Sequence, residues 1–363
     1  TVGSWRRARR FADDDRAHNE IEAVRNRVGM LDASTLGKFR LFGPDALKAL
    51  QRVYVGDMRT VAEDRVKYAA MCNEDGCLVD DGVVVRRGPQ DYYLTTSTAR
   101  ADVTAEWVRY HTRFDNWQFA VVNLTDAFAV INLAGPQARA VLQQITETDL
   151  SNEAFPFLGY REFRLQGDIP VRAMRLGFVG ELSYELHVPA SWADAVWQML
   201  LRAGEPHDLI PFGLEAQSTL RLEKGHIIIG SESEQRTTLH DLGLGFLWTR
   251  DKPEARTVGD TALRQTEHQP GRLKLVGFEM IDPSDRAPRD GSPVVDDTIR
   301  GYVCTARFSR TLNKPIGLAL VEDALAGDGQ RLQIYEDGCN GRRIHARVVP
   351  RPFYDPEGRR MRM

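Results

Sequence analysis

The feature that most constrains this chain is a repeat inside it. Phe39-Arg40-Leu41-Phe42-Gly43-Pro44-Asp45-Ala46 runs into Leu47-Lys48-Ala49-Leu50-Gln51. Starting at Val130, 92 residues further on when glycine is set on glycine, Val130-Ile131-Asn132-Leu133-Ala134-Gly135-Pro136-Gln137-Ala138 runs into Arg139-Ala140-Val141-Leu142-Gln143. Each copy reads as strand, Gly-Pro turn, helix, because glycine permits the turn and proline suits the first helical position. The offset exceeds solenoid periods of roughly 20–50 residues. Two related α+β units are therefore expected, the alternative being a chance likeness of two strand–helix corners.

Other elements are legible from spacing. Ile21, Val24 and Val28 mark one helical face, with Gly29 where a stop belongs. Ser191 and Asp194 resemble a capping box ahead of Ala195, Val196, Met199 and Leu200, with Gly204 as the stop. A helix is expected from Leu214 to Glu223, ended by Gly225. A polar connection follows, starting at Thr249-Arg250-Asp251-Lys252-Pro253 and ending at Pro270-Gly271. Beyond it, short apolar or alternating runs fall at Leu273–Met280, Gly301–Phe308, Ile316–Val321, Leu332–Tyr335 and Ile344–Val349, with turn signals at Asp337-Gly338 and Asn340-Gly341. A small β-barrel or sandwich fits these spacings.

Composition excludes several functions. A net charge of -3 offers no broad basic field for nucleic acid, and no apolar run is long enough for a membrane span. Trp5-Arg6-Arg7-Ala8-Arg9-Arg10 continues into Phe11-Ala12-Asp13-Asp14-Asp15, where a targeting signal would turn apolar. A solvated arm packed by Trp5 and Phe11 is expected instead. Cys72, Cys77, Cys304 and Cys339 form no C-x-x-C pair and the histidines no H-x-x-x-H pair, so neither a metal site nor a disulfide framework is expected. Scattered free thiols suit a reducing compartment, and the cytoplasm is the expected location. There is no G-x-G-x-x-G and no P-loop, so no flavin or NAD is expected on this chain.

Three stretches carry candidate chemistry. In Lys67–Val85, two expected strands join through a Gly-containing turn, with Asp80 and Asp81 inside the second. Alternation puts them on opposite faces, so they make no shared-proton dyad, and at least one faces a cavity unless both are solvated. Alternation does not say which. In Gly177–Val188, Phe178 lies near one end of a hairpin and Glu185 on its return. A carboxylate beside an aromatic suits a planar ring with adjacent N–H donors, the plain alternative being an edge-strand glutamate in water. In Leu220–Gly230, Arg221 and Glu223 suit structural ion pairs, and His226 suits packing or hydrogen bonding better than catalysis.

In this order, the stretches resemble the glycine-cleavage T-protein family over almost the whole chain. The likeness includes Gly43-Pro44-Asp45-Ala46, Asp80-Asp81, Gly180-Glu181 with Glu185, Leu220-Arg221-Leu222-Glu223-Lys224-Gly225, and Thr311-Leu312-Asn313-Lys314-Pro315-Ile316-Gly317-Leu318-Ala319. Gly29-Met30-Leu31-Asp32-Ala33-Ser34-Thr35-Leu36-Gly37-Lys38, Asp80-Asp81-Gly82-Val83 and Glu223-Lys224-Gly225-His226-Ile227-Ile228 are similar to the C-terminal half of heterotetrameric sarcosine oxidase alpha.

The resemblance implies an α+β, three-lobed ring around tetrahydrofolate, with two related α+β lobes and a C-terminal β-barrel. The lobes are expected at 1–48 with 130–250, and at 49–129; 251–272 connects and 273–363 forms the barrel. It implies that Asp81 is catalytic and that Tyr68, Ser97, Phe178 and Glu185 bind the folate, Glu185 at the pterin edge. Two positions depart from T-proteins: Ser97 stands near their asparagine and Gln217 at their arginine. His226 stands where iron–sulfur-maturation relatives carry cysteine. The expected function is capture of a methyl-derived iminium from an N-methyl amine such as sarcosine as methylene-tetrahydrofolate, with a flavoprotein domain or subunit as partner. The alternatives are a stand-alone folate-dependent demethylase and a non-catalytic folate-binding module.

Overall fold

A computed structural model describes residues 5–11, 17–252, 256–336 and 341–363. After α1 (His18–Asn26) and β1 (Gly29–Asp32), the first copy of the repeat supplies β2 (Gly37–Phe42), α2 (Ala46–Val53), β3 (Val66–Cys72), β4 (Leu78–Gly88), β5 (Asp91–Thr96), α3 (Thr104–Thr112) and β6 (Ala120–Asn123). These strands form lobe I, a sheet ordered β3-β4-β5-β2-β6. The second copy supplies β7 (Phe128–Ala134), α4 (Ala138–Gln143), β8 (Tyr160–Leu165), β9 (Ile169–Met174), β10 (Ser183–Pro189), α5 (Ala193–Gly204) and β11 (Ile210–Pro211). With β1 these form lobe II, ordered β11-β1-β7-β10-β9-β8, and α6 (Leu214–Glu223) follows. From the corner strand outward, β2-β5-β4-β3 matches β7-β10-β9-β8.

The two corners share one geometry. Gly43 and Gly135 have φ of 128° and 131°. A Cβ there would lie 2.7 Å from Gln118 O and 2.5 Å from Arg27 O respectively, so only glycine fits. The N–H of Ala46 returns to Gly43 O and that of Ala138 to Gly135 O, each at 3.0 Å. The duplicated unit read from the sequence is therefore present, but the boundary at 48 is corrected. β2 pairs with β5 and β6, so lobe I begins near Gly37, and residue 48 falls inside α2.

Local readings also need correction. α1 stops at Asn26, and Gly29 opens β1 instead of capping the helix. The residue before α5 is Trp192, and no side chain caps this helix, so the capping box does not form. In the arm, Phe11 is 52% exposed; Leu214 N and Glu215 N donate to Ala8 O and Arg9 O at 3.1 and 3.0 Å, Arg9 pairs with Glu215 at 3.0 Å, and Arg7 donates to Asp32 O at 3.2 Å. Residues 12–16, Cys339 and the turn at Asp337-Gly338 lie outside the described residues, as does Asn340 of the Asn340-Gly341 turn.

The connection contains α7 (Asp260–Thr266), anchored by buried Leu263 and by Trp248 Nε1 donating to Asp260 Oδ1 at 3.1 Å. Then β12 (Leu273–Met280), β13 (Pro293–Val295), β14 (Ile299–Ser309), β15 (Lys314–Glu322), β16 (Arg331–Glu336) and β17 (Arg342–Val349) close a barrel, ordered β12-β15-β14-β13-β16-β17. Phe278, Val294, Leu332, Ile334 and Ala346 help to fill its core.

Two junctions join the bodies. An apolar one gathers Ala70 and Leu78 of lobe I, Leu222 of α6, and Ile316 and Leu318 of the barrel. An ionic one centres on Arg25, whose guanidinium donates to Glu181 Oε1 at 3.0 Å and Glu223 Oε2 at 2.6 Å. Glu223 also accepts from Ser309 Oγ at 2.6 Å and Thr311 Oγ1 at 3.0 Å, while Glu181 accepts from Tyr354 Oη and Arg360 Nε, both at 2.9 Å. Arg221 pairs with Glu232 at 2.9 Å.

Candidate functional site between the two sheets

The sheets of lobes I and II meet face to face. Val66, Val85 and Tyr93 of lobe I pack with Tyr160 and Met174 of lobe II. Tyr93 Oη lies 3.0 Å from His187 Nδ1 across the joint. Register extends each facing surface. In lobe I, Tyr68 stands opposite Val83, Val83 opposite Thr95, and Ala70 opposite Asp81. In lobe II, Ser183, Glu185 and His187 share the side of β10 that looks away from Tyr184, Leu186 and Val188, which belong to the lobe's own core.

The aspartates part as alternation requires. Asp81 turns to the joint, where Tyr68 Oη donates to its Oδ2 at 2.5 Å. Burial raises the Asp81 pKa, while the Tyr68 bond pulls it back; burial, and then Asp81 itself, push the Tyr68 phenol well above its usual value. Asp80 points the other way and is 0% exposed. Its Oδ2 accepts the Ser97 N–H at 3.3 Å, while its Oδ1 has no hydrogen-bond partner among the described residues. Burial pushes Asp80 up to about 8, with the Asp81 charge adding to the rise and the Ser97 contact opposing it. Ser97 is therefore tied to Asp80, not to the Tyr68–Asp81 pair.

Glu185 is not an edge-strand residue, because β10 runs between β7 and β9, and it is only 9% exposed. The one described partner of its carboxylate is His187 Nε2, 3.6 Å from Oε2 and beyond hydrogen-bond range. Its acceptor oxygens are thus uncommitted, as an incoming pair of N–H donors would require. Phe178 lies in the loop before β10, its ring stacked on His226 with centroids 5.6 Å apart. His226 Nδ1 donates to Phe178 O at 2.8 Å, so the packing role read for this histidine is the one it has. Burial lowers its pKa and keeps it neutral.

Sequence reasoning missed Lys38 and His187. Lys38 is 0% exposed and donates to Ser34 O and Phe128 O, each at 2.7 Å; burial lowers its pKa to about 8. His187 is two residues after Glu185, so strand alternation already placed it on the same face. Among the described residues, no group of three or more His, Cys, Asp or Glu could hold a metal ion, and no helix is long and apolar enough to cross a membrane.

Known proteins share this organisation. Residues 1–252 match the GCVT N-terminal domain and residues 274–355 the glycine cleavage T-protein C-terminal barrel domain. The chain is 36% identical to an aminomethyltransferase of Shouchella clausii, over 97% of this chain and 92% of that one. It is 33% identical to the sarcosine oxidase subunit alpha of Rhizobium meliloti, over 94% of this chain but only 35% of that protein. The crystal structure of glycine cleavage system aminomethyltransferase T from Bartonella henselae superposes with a TM-score of 0.82 at 23% identity, covering 93% of this chain and 89% of that one. Fold and relatives together define an enzyme of the aminomethyltransferase type, a class that carries out folate-dependent one-carbon transfer. The chain belongs to the glycine-cleavage T-protein family.

Proposed function

We propose that this chain passes a one-carbon unit from an N-methyl amine such as sarcosine, oxidised to an iminium by a flavin-bearing partner, to tetrahydrofolate, giving methylene-tetrahydrofolate and releasing the demethylated amine. The observation that carries the reading is the part-buried Tyr68–Asp81 pair on one sheet, with the Glu185 carboxylate, without a hydrogen bond among the described residues, on the facing one. Bound tetrahydrofolate supplies the nucleophilic nitrogens that take up the carbon. Glu185 accepts hydrogen bonds from the pterin edge, and Phe178, held by His226, offers an apolar wall beside it. Tyr68 fixes the Asp81 carboxylate, which stabilises the reacting cation by charge and accepts a proton as the cation is consumed. Ser97 supports Asp80 in this arrangement. The resemblance to a sarcosine oxidase subunit supports a flavoprotein partner, and the buried thiols Cys72, Cys77 and Cys304 suit a reducing compartment such as the cytoplasm.

The test is methylene-tetrahydrofolate formation from sarcosine, with the co-purifying flavoprotein supplied. Asp81→Asn should lower turnover at least about tenfold, equivalent to ~1.4 kcal/mol of transition-state stabilisation, and change folate affinity less. Full turnover in that variant would remove Asp81 from the chemistry. Turnover by the chain alone would remove the flavoprotein from the proposal.

A further inference from the structure

His187 is a histidine sealed inside a joint between two duplicated sheets. It is 0% exposed, and its ring meets Tyr93 edge-on with centroids 5.5 Å apart. Nδ1 is 3.0 Å from Tyr93 Oη. Nε2 is buried with no hydrogen-bond partner among the described residues, and it lies 3.6 Å from Glu185 Oε2.

Hydrogen-bond inventory fixes the tautomer. A neutral imidazole donates from one nitrogen and accepts at the other. A proton on Nδ1 would leave the Nε2 lone pair buried against a carboxylate oxygen, acceptor facing acceptor. The Arg172 guanidinium, 5.0 Å over the Tyr93 ring, has only donors, so it offers the Tyr93 hydroxyl hydrogen nowhere to go. The consistent arrangement has Tyr93 O–H donating to Nδ1 and Nε2–H aimed at Glu185.

We propose that His187 is a positioning residue for Glu185. A Tyr93–His187–Glu185 line, starting in lobe I and ending in lobe II, holds one carboxylate oxygen by one lone pair and so orients both oxygens for a ligand. This rests on the folate reading of Glu185. It makes the joint between the lobes part of the pterin grip: a small rotation of Glu185 closes the 3.6 Å gap, and the buried N–H gains its acceptor.

The test is a double-mutant cycle on the full chain, reading the Kd of 5-formyl-tetrahydrofolate by calorimetry. His187→Leu should raise Kd about tenfold, the loss expected for a hydrogen bond to a charged acceptor. In a Glu185→Gln background the same change should have little further effect, whereas a merely structural histidine would cost as much in either. His187→Gln, which can present an N–H in nearly the same place, should recover most of the affinity. Unchanged binding in a folded His187→Leu protein, or equal losses in both backgrounds, overturns the proposal. If Glu185→Gln weakens binding and His187→Leu does not, the positioning role alone fails. If neither changes it, the folate reading of Glu185 fails as well. Should His187→Leu not fold, Tyr93→Phe decides: weaker binding with a shifted imidazole 15N signal is expected, and no change in either overturns the proposal.

Discussion

Asp80→Asn should remove a pH-dependent weakness of the fold. The native carboxyl is completely buried, with one oxygen on the Ser97 N–H and the other without a hydrogen-bond partner among the described residues, and its pKa is raised to about 8. In an unfolded chain an aspartate titrates near ~3.9. Between those values the folded protein keeps a proton that the unfolded chain has released, so stability falls as pH rises. The slope is about 1.4 kcal/mol per pH unit, or about 3 kcal/mol from pH 5 to 7, and it ends near 8, where both states are ionised. Against a total stability of about 5–15 kcal/mol this is a large share. Asparagine keeps the shape of the neutral acid and has no proton to lose. Urea unfolding at pH 5, 6, 7 and 8, followed by circular dichroism, should show the variant gaining steadily on the parent. Burial raises Asp81 as well, in parent and variant alike, so the comparison is made on the difference between the two curves. Parallel curves would refute the reasoning and mean that Asp80 is ionised in the folded state.

Glu185→Gln should weaken tetrahydrofolate binding by about 1.5–3 kcal/mol while leaving the melting temperature nearly unchanged, as titration and thermal melts would report. Arg25→Met should destabilise the fold by about 3 kcal/mol or more, because Glu181 and Glu223 are both 0% exposed and lose their shared cation; denaturant midpoints measure it. Gly135→Ala should cost at least about 2 kcal/mol, since its φ is 131° and the new Cβ would meet Arg27 O; an unchanged melt would deny that the corner needs glycine. The purified chain should show no flavin absorbance, and a stoichiometric flavin spectrum would contradict the reading of its missing dinucleotide loop.

What was legible in the sequence was local. The Gly-Pro corners, the helix at Leu214–Glu223 and the strands either side of Asp75-Gly76 follow from turn chemistry and from periods of two or 3.6 residues, and they stand where those signals put them. The boundary at 48 was not legible, because β2 belongs to lobe I only through pairing with β5 and β6, contacts far off in sequence. β13 is three residues long and leaves no period to read. At the site, alternation alone separated Asp80 from Asp81, but the hydrogen bond from Tyr68 tells which one meets the facing sheet. The bond from the Ser97 N–H to Asp80 was not legible, because nothing in its neighbours announces it. His187 was available from the same alternation that placed Glu185.

The ionic junction at Glu223 bears on what counts as a separable part. The family divides the chain into a domain ending at 252 and a barrel starting at 274. Glu223 nevertheless takes two of its donors, Ser309 and Thr311, from beyond that division, and Glu181 takes Tyr354 and Arg360 from the C-terminal tail. Excising the barrel would strip both buried carboxylates of these donors and leave Arg25 as their shared partner. The buried contacts cross that division, so the barrel and the region before it are expected to unfold together, and the two descriptions need not share a boundary.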